Sequence, residues 1–269
     1  MSTTTAAESS VASGAHVEGT DSQVRPRRWA LTAARCAVPV AGLGVWFAVA
    51  PLTDLVPSPV STLRELWLSF AEGWIYPGLA ATASAVVAGF LIGTLFAFPT
   101  GYLLGRSRTL NRIFDPLIAG TFAVPRIILY PVLLTLFGVG VLAETSMVAI
   151  SAFFPIVMAT TAAVRQVSNS LLKLGRSLGA SRRQIATKIV IPDAAPSIMI
   201  GIRIGFSISF IAAIIAEFFA AKDGLGLMIS EAYGSLELPR MYAIVVLVMI
   251  AAFGGNLLLW WTERRLRGS

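Results

Sequence analysis

The sequence predicts an all-α, polytopic membrane protein with six transmembrane helices. Three observations carry that expectation. Of the 269 residues, 56% are hydrophobic and only 13% charged; the mean hydropathy of +0.76 lies far above that of a water-soluble domain. Apolar stretches recur along the chain, separated by Pro, Gly or charge. Each is long enough to cross a hydrocarbon core of about 30 Å, which takes roughly 20 helical residues.

Residues 1–24 are rich in Ser, Thr, Ala and Gly and hold too little apolar surface to offset the cost of ordering, so they are expected to be a disordered cytoplasmic tail ahead of a transmembrane domain over 25–269. The first span is expected at Trp29–Ala50. Ala48-Val49-Ala50 resembles a signal-peptide cleavage site, but the basic cluster lies well inside the chain, the apolar run is long and Pro51 follows at once, which favours a retained helix. The lone Cys36 in this run has no partner for an intramolecular disulfide and is read as a small apolar filler.

The second span is expected at Gly78–Leu104 and the third at Pro116–Phe137. The third contains Pro125, Arg126 and Pro131, a combination that breaks a helix and leaves carbonyls open. The fourth, Leu142–Val164, leads into the longest hydrophilic stretch of the helical body, Arg165–Asp193. The fifth, Pro196–Phe219, is followed by Lys222-Asp223-Gly224-Leu225-Gly226-Leu227, where the glycines suit a tight reversal. The sixth is Met241–Trp261.

The formal charge of +7 would be compatible with nucleic acid, but in a membrane protein the placement of the charges matters more. Most of the 21 Lys and Arg fall on one side of the six spans. They are Arg25, Arg27, Arg28 and Arg35 before the first, Arg106, Arg108 and Arg112 after the second, six from Arg165 to Lys188 after the fourth, and Arg264, Arg265 and Arg267 after the sixth. The opposite loops hold only Arg64, Lys222 and Arg240. The rich side is expected to be the cytoplasm, with both termini there, membrane lipid as the surroundings and no nucleic-acid partner.

Within the long loop, Leu171, Leu174, Leu178, Ile185 and Ile189 recur at three- and four-residue steps among basic residues, the pattern of short amphipathic helices lying against something, with a turn at Gly179. An ordinary basic loop drawn to anionic lipid would explain the charge. It would not explain the order of residues, LLKLGRSLGASRRQIATKIVIPDAAPSIMIGIRIG from Leu171 to Gly205. Leu178-Gly179-Ala180-Ser181, then Gln184, then Ile191-Pro192 and Pro196 resemble the cytoplasmic coupling loop of ABC importer permeases. Leu172-Lys173-Leu174-Gly175 stands where Glu-Ala-Ala is common in that loop.

The resemblance runs from about Pro57 to Arg267 and points to the nitrate, sulfonate, taurine and bicarbonate branch of the binding-protein-dependent, type I (MetI-like) permeases. It is carried also by LVPSPVSTL, AGFLIGTLFAFPTGYLLGRS, VPRIILYPVLLTLFGVG, FFPI, AEFFAAKDGLGLMI and MYAIVVLVMIAAFG. It implies a non-enzymatic transport subunit of a bacterial inner membrane. Its implied partners are a dimer of ABC ATPase chains, a second permease chain in a homodimer and an extracytoplasmic substrate-binding protein. The loop, about 165–195, would couple to the ATPase through Lys173, Gly175, Arg176, Leu178, Gly179, Ala180, Ser181 and Gln184, and Lys222 and Asp223 would face the binding protein.

Ionisable groups inside apolar runs cost a few kcal/mol at mid-bilayer and usually face protein or a water-filled path. Arg126 either draws an anionic solute toward the translocation path or caps the carbonyls freed by the prolines. Arg203, about two turns after Pro196, can reach the cytoplasmic face or line the path. Glu217 lies near the outer end of the fifth span, where it would close a gate against a second protomer or cap local backbone donors. No GxxxxGK[ST] motif is present and the one histidine, His16, lies in the tail, so no cofactor is expected on this chain, with ATP and Mg on the partner ATPase. A secondary transporter or channel working without an ATPase is the alternative; it would be expected to show internal repeats, and none is seen between the halves.

Overall fold

A computed structural model describes residues 28–53, 55–121 and 124–267. The N-terminal tail, His16 and the side chain of Cys36 lie outside that set. The described residues are helical, with no strand. The chain divides into two units, residues 1–46 and 47–269. The first contributes most of α1 (Arg28–Val49), the expected first span, which carries Pro39 in its interior.

In the second unit, three long helices form the centre: α3 (Ile75–Arg106), α6 (Val141–Gln166) and α9 (Ile191–Phe219). With α11 (Leu238–Arg267) they account for the second, fourth, fifth and sixth expected spans; these four segments are long and apolar enough to cross a membrane. At 32 residues, α3 is about 48 Å long and outreaches the hydrocarbon core.

The third expected span is not one helix. α4 (Arg108–Gly120) begins before Pro116 and runs through it, the chain leaves the helix, and a 3₁₀ turn at Arg126–Leu129 leads into the short α5 (Tyr130–Phe137). Pro125 lacks an amide donor and disfavours helical geometry in the residue before it, so the break lies just ahead of it; Pro131 sits in the first turn of α5, where a missing donor costs little, and Tyr130 before it is helical.

Small residues decide how the centre packs. Gly89, Gly93, Ala97, Gly101 and Gly105 recur every fourth residue on α3 and face α6. A β-carbon on Gly89 would lie 2.6 Å from the Thr145 carbonyl, on Gly93 2.6 Å from that of Ala149, and on Gly101 2.6 Å from Cβ of Thr160. On the other side of α6, Gly205 of α9 meets Ile156. Lipid tails offer no hydrophobic drive for helix association, so close backbone approach along small-residue stripes supplies it through dispersion. Ala152, Ile156 and Val157 are fully buried between the two neighbours, and Thr161 Oγ1 donates to the Gly101 carbonyl at 3.2 Å.

Two short helices replace expected loops. Ser58 caps α2 (Pro59–Ala71), accepting from the Ser61 amide at 3.1 Å with Pro59 in the first turn. Its Leu66 and Phe70 pack with Trp74 on Ile244 and Leu247 of α11. The expected reversal at 222–227 is shorter than the glycines suggest: Gly224, at φ +133°, is the turn residue, and Gly226 already belongs to α10 (Leu225–Gly234).

Candidate functional site

The loop between α6 and α9 is built of local signals. α7 (Asn169–Ser177) starts at Ser168, whose side chain accepts from the Ser170 amide, and stops at a left-handed Gly179 with φ +73°. There the Gly179 amide donates to the Arg176 carbonyl and the Ala180 amide to the Gly175 carbonyl, both at 3.0 Å, the paired bonds of a Schellman ending. The next residue starts a new helix. Ser181 Oγ accepts from the Gln184 amide at 3.3 Å while the Ser181 amide donates to Gln184 Oε1 at 2.8 Å, a complete capping box for α8 (Arg182–Ile185).

α8 passes through a π-turn, Ala186–Val190, into α9 without a break, so Arg182–Phe219 is one helical rod of 38 residues, about 57 Å long. Pro192 lies inside that rod and has no amide to donate, and the π-turn stands directly before it.

The expected apolar stripe of this loop divides in two. Ile185 is buried and Ile189 half-buried, packed with Leu172 and Ala180 on a cluster formed by Ala163, Val164, Val167, Val190, Ala194 and Ile198. Leu171, Leu174 and Leu178 face outward; Leu178 is 77% exposed. Ala180 packs inward on that cluster, and Ser181 and Gln184 are engaged in the capping box. A β-carbon on Gly175 would come within 2.6 Å of Ile189 Cδ1, so this glycine lets α7 lie on the rod. Lys173 and Arg176 are exposed.

The far end of the rod carries a buried polar network. Glu217, with no exposed surface, accepts through Oε2 from Thr82 Oγ1 of α3 at 2.8 Å and from the Gly226 amide at 2.9 Å. Thr82 Oγ1 in turn accepts from the Leu225 amide at 2.8 Å. Glu217 and Thr82 therefore satisfy the first amides of α10, which have no intrahelical acceptor, and set a carboxyl group at that helix's positive end. Gly224 is needed for more than its turn, since a β-carbon there would lie 2.5 Å from Cδ of Glu217. Beside this network, Tyr130 Oη donates to the Ala220 carbonyl at 2.7 Å and ties α5 to the end of α9.

The other in-membrane charges lie apart from Glu217. Arg203 pairs with Glu263 of α11, Nη1 to Oε2 at 3.1 Å, joining the two helices within one chain. Arg126 is half-buried in the 3₁₀ turn, its guanidinium 5.7 Å from the centre of the Phe154 ring on α6. Lys222 and Asp223 are exposed and, with Gly140, Leu142 and the buried Glu144, line a cavity of about 300 Å³. Arg126, Arg203 and Glu217 are thus three separate local environments, whereas the residues expected to couple to an ATPase lie together in one segment. Thr82, Tyr130 and Glu263 escape the sequence reading; for Glu263 the available signal was an acid isolated among the basic residues of the last helix.

Compared with known proteins, residues 89–268 match the profile of the family described as binding-protein-dependent transport system inner membrane component. The taurine transport system permease protein TauC of Escherichia coli is 30% identical over 233 residues, spanning 83% of this chain and 85% of that protein. SsuC of Escherichia coli, named for aliphatic sulfonates transport, is 28% identical over 235 residues, covering 86% and 88%. The fold is similar to that of a chain in inward-facing structures of the MetNI methionine ABC transporter, with a TM-score of 0.61 at 22% identity over 71% of this chain and 94% of that one.

Proposed function

The chain belongs to the family of binding-protein-dependent transport system inner membrane components, an ABC importer permease, and from that premise we propose that it moves a small anionic solute into the cytoplasm by alternating access. It would do so as a homodimer with both termini cytoplasmic, driven by partner ATPase chains that hold ATP and Mg, with solute delivered by an extracytoplasmic binding protein. This chain would bind no cofactor of its own.

One observation supports the mechanism above the others: the continuity of Arg182–Phe219. A push on α8 from a closing ATPase dimer cannot be absorbed in a loop, because none separates α8 from the span; α7 is joined to it through the turn at Gly179. Such a push would tilt the rod and move its far end, where Glu217 holds α10 against α3. Two-state rocking of this kind is the usual way a packed helical body answers a local force. The outward Leu171, Leu174 and Leu178, with Lys173 and Arg176 beside them, are the surface assigned to the ATPase; the exposed Lys222 and Asp223 are assigned to the binding protein.

The anionic character of the solute rests on Arg126, a cation half-buried at the interrupted third segment, and on the taurine and sulfonate names of the two relatives. The test is uptake in liposomes by the chain assembled with its ATPase and binding protein. Taurine and short alkyl sulfonates are expected to enter only with ATP, and Arg126→Gln to lower uptake at least about tenfold, the loss expected for a charge-assisted hydrogen bond. ATP-independent uptake would overturn the coupling, and equal uptake by the Arg126→Gln variant would overturn the anion reading.

A further inference from the structure

A cavity of about 800 Å³ lies where the coupling segment meets the ends of two spans. Five arginines from five helices line it: Arg106 at the end of α3, Arg108 at the start of α4, Arg165 in the last turn of α6, Arg176 in the last turn of α7 and Arg182 at the start of α8. No carboxylate is among the described lining residues. The two ion pairs among the described residues, Arg203 with Glu263 and Arg240 with Glu237, involve none of the five. Asp115 shares a neighbouring cavity with Arg165 and makes no ion pair with it.

We propose that this cavity is a binding site for a phosphate-bearing anion, seated between the coupling segment and the ends of α3 and α6. Five like charges around one space repel one another; all five arginines are exposed, so solvent and salt screen part of that repulsion, and a seated anion would lower it further. The guanidinium fork matches phosphate oxygens in a bidentate fashion that an ammonium does not. A volume within the ordinary range of ligand cavities, about 300–1,000 Å³, is far larger than one inorganic ion needs and suits a phosphate carried on a larger body. Basic pockets at the ends of membrane helices are where phospholipid headgroups seat, and the same chemistry would accept a soluble phosphate compound. An occupant would touch both the coupling helices and the spans, and so would stiffen the joint between them. The proposal is independent of the identity of the transported solute.

The full chain, purified with its ATPase and with the nucleotide sites filled by Mg and a non-hydrolysable ATP analogue, would be titrated by calorimetry with short-chain phosphatidylglycerol, phosphatidylcholine of the same chain length, and inorganic pyrophosphate. Arg106→Gln/Arg165→Gln removes two cavity charges; Arg112→Gln/Arg183→Gln removes two charges that do not line it. Phosphatidylglycerol, pyrophosphate or both are expected to bind the parent chain at least about tenfold more tightly than the cavity variant, with the control variant unchanged. Preference for phosphatidylglycerol identifies a lipid headgroup, and equal or tighter pyrophosphate binding a soluble ligand. Equal loss in both variants, equal binding of phosphatidylcholine, or no binding to the parent chain would overturn the site. Thermal unfolding of both variants in the same detergent separates loss of binding from loss of fold.

Discussion

Replacing Gly179 with valine should uncouple ATP hydrolysis from transport through the backbone alone. No atom lies within 4 Å of a β-carbon built at Gly179, so the substitution meets no neighbour; its φ of +73° is what an L side chain resists. The left-handed conformation costs an ordinary residue roughly 1–2 kcal/mol, and a β-branched one is less tolerant still. That cost falls directly on the Schellman bonds that end α7 and set Ser181 at the start of α8. A loss of 1–2 kcal/mol lowers the ratio of the native turn to its alternatives about 5–30-fold. Asn tolerates the left-handed region, so Gly179→Asn should restore most of the coupling. The assay is solute transported per ATP hydrolysed in proteoliposomes. The valine variant should fold, assemble and hydrolyse ATP while transporting at a small fraction of the parent stoichiometry. Parent-like stoichiometry for valine, or an asparagine variant as defective as valine, would refute the argument.

Three further perturbations test other parts of the structure. Gly101→Val on α3 would press a side chain into Thr160 and the Val157 carbonyl and should destabilise the α3–α6 pair by about 1–3 kcal/mol, read as a lower unfolding midpoint in detergent. Glu217→Ala should strip acceptors from the Thr82 hydroxyl and the Gly226 amide, a loss of about 1–3 kcal/mol for each group left unpaired, whereas Glu217→Gln keeps an acceptor oxygen and should lose much less; chemical unfolding of both variants decides. A double-mutant cycle between Arg203→Ala and Glu263→Ala should give a coupling energy of about 1 kcal/mol, modest because Arg203 remains partly exposed; additive losses would show the pair to be incidental.

What the sequence made legible was local or periodic. The four long spans follow from the length of their apolar runs, and the break in the third from Pro125; Pro131, which also suggested a break, starts α5 instead. The turn at Gly179 is legible because a glycine between two short amphipathic patterns has one common use. The division of the loop's apolar stripe is not, because Ile185 and Leu178 are equally apolar and only the cluster around Val164 and Ile198 decides which turns inward. Nor was the fate of Glu217 legible: its partner Thr82 is 135 residues away, and nothing near either residue announces the other. The small-residue stripe from Gly89 to Gly105 was in plain view at a strict four-residue spacing. Read as helix-packing chemistry rather than as tolerated glycine, it would have predicted a close neighbour for α3, though not that the neighbour is α6. α2 and α10 were missed because, at 13 and 10 residues, each is too short to register as a membrane span.

The π-turn at Ala186–Val190 makes the joint between α8 and α9 a matter of phase. A π-turn carries one residue more than the α-helix it interrupts, and one residue is about 100° of rotation about the helix axis. Deleting one residue there would leave every hydrogen bond of the membrane span available, yet would swing α7 and its outward leucines about a quarter turn around the rod. The bearing at which the proposed ATPase partner would meet α7 is therefore set by the length of five residues, and an insertion or deletion at that one place would re-aim it.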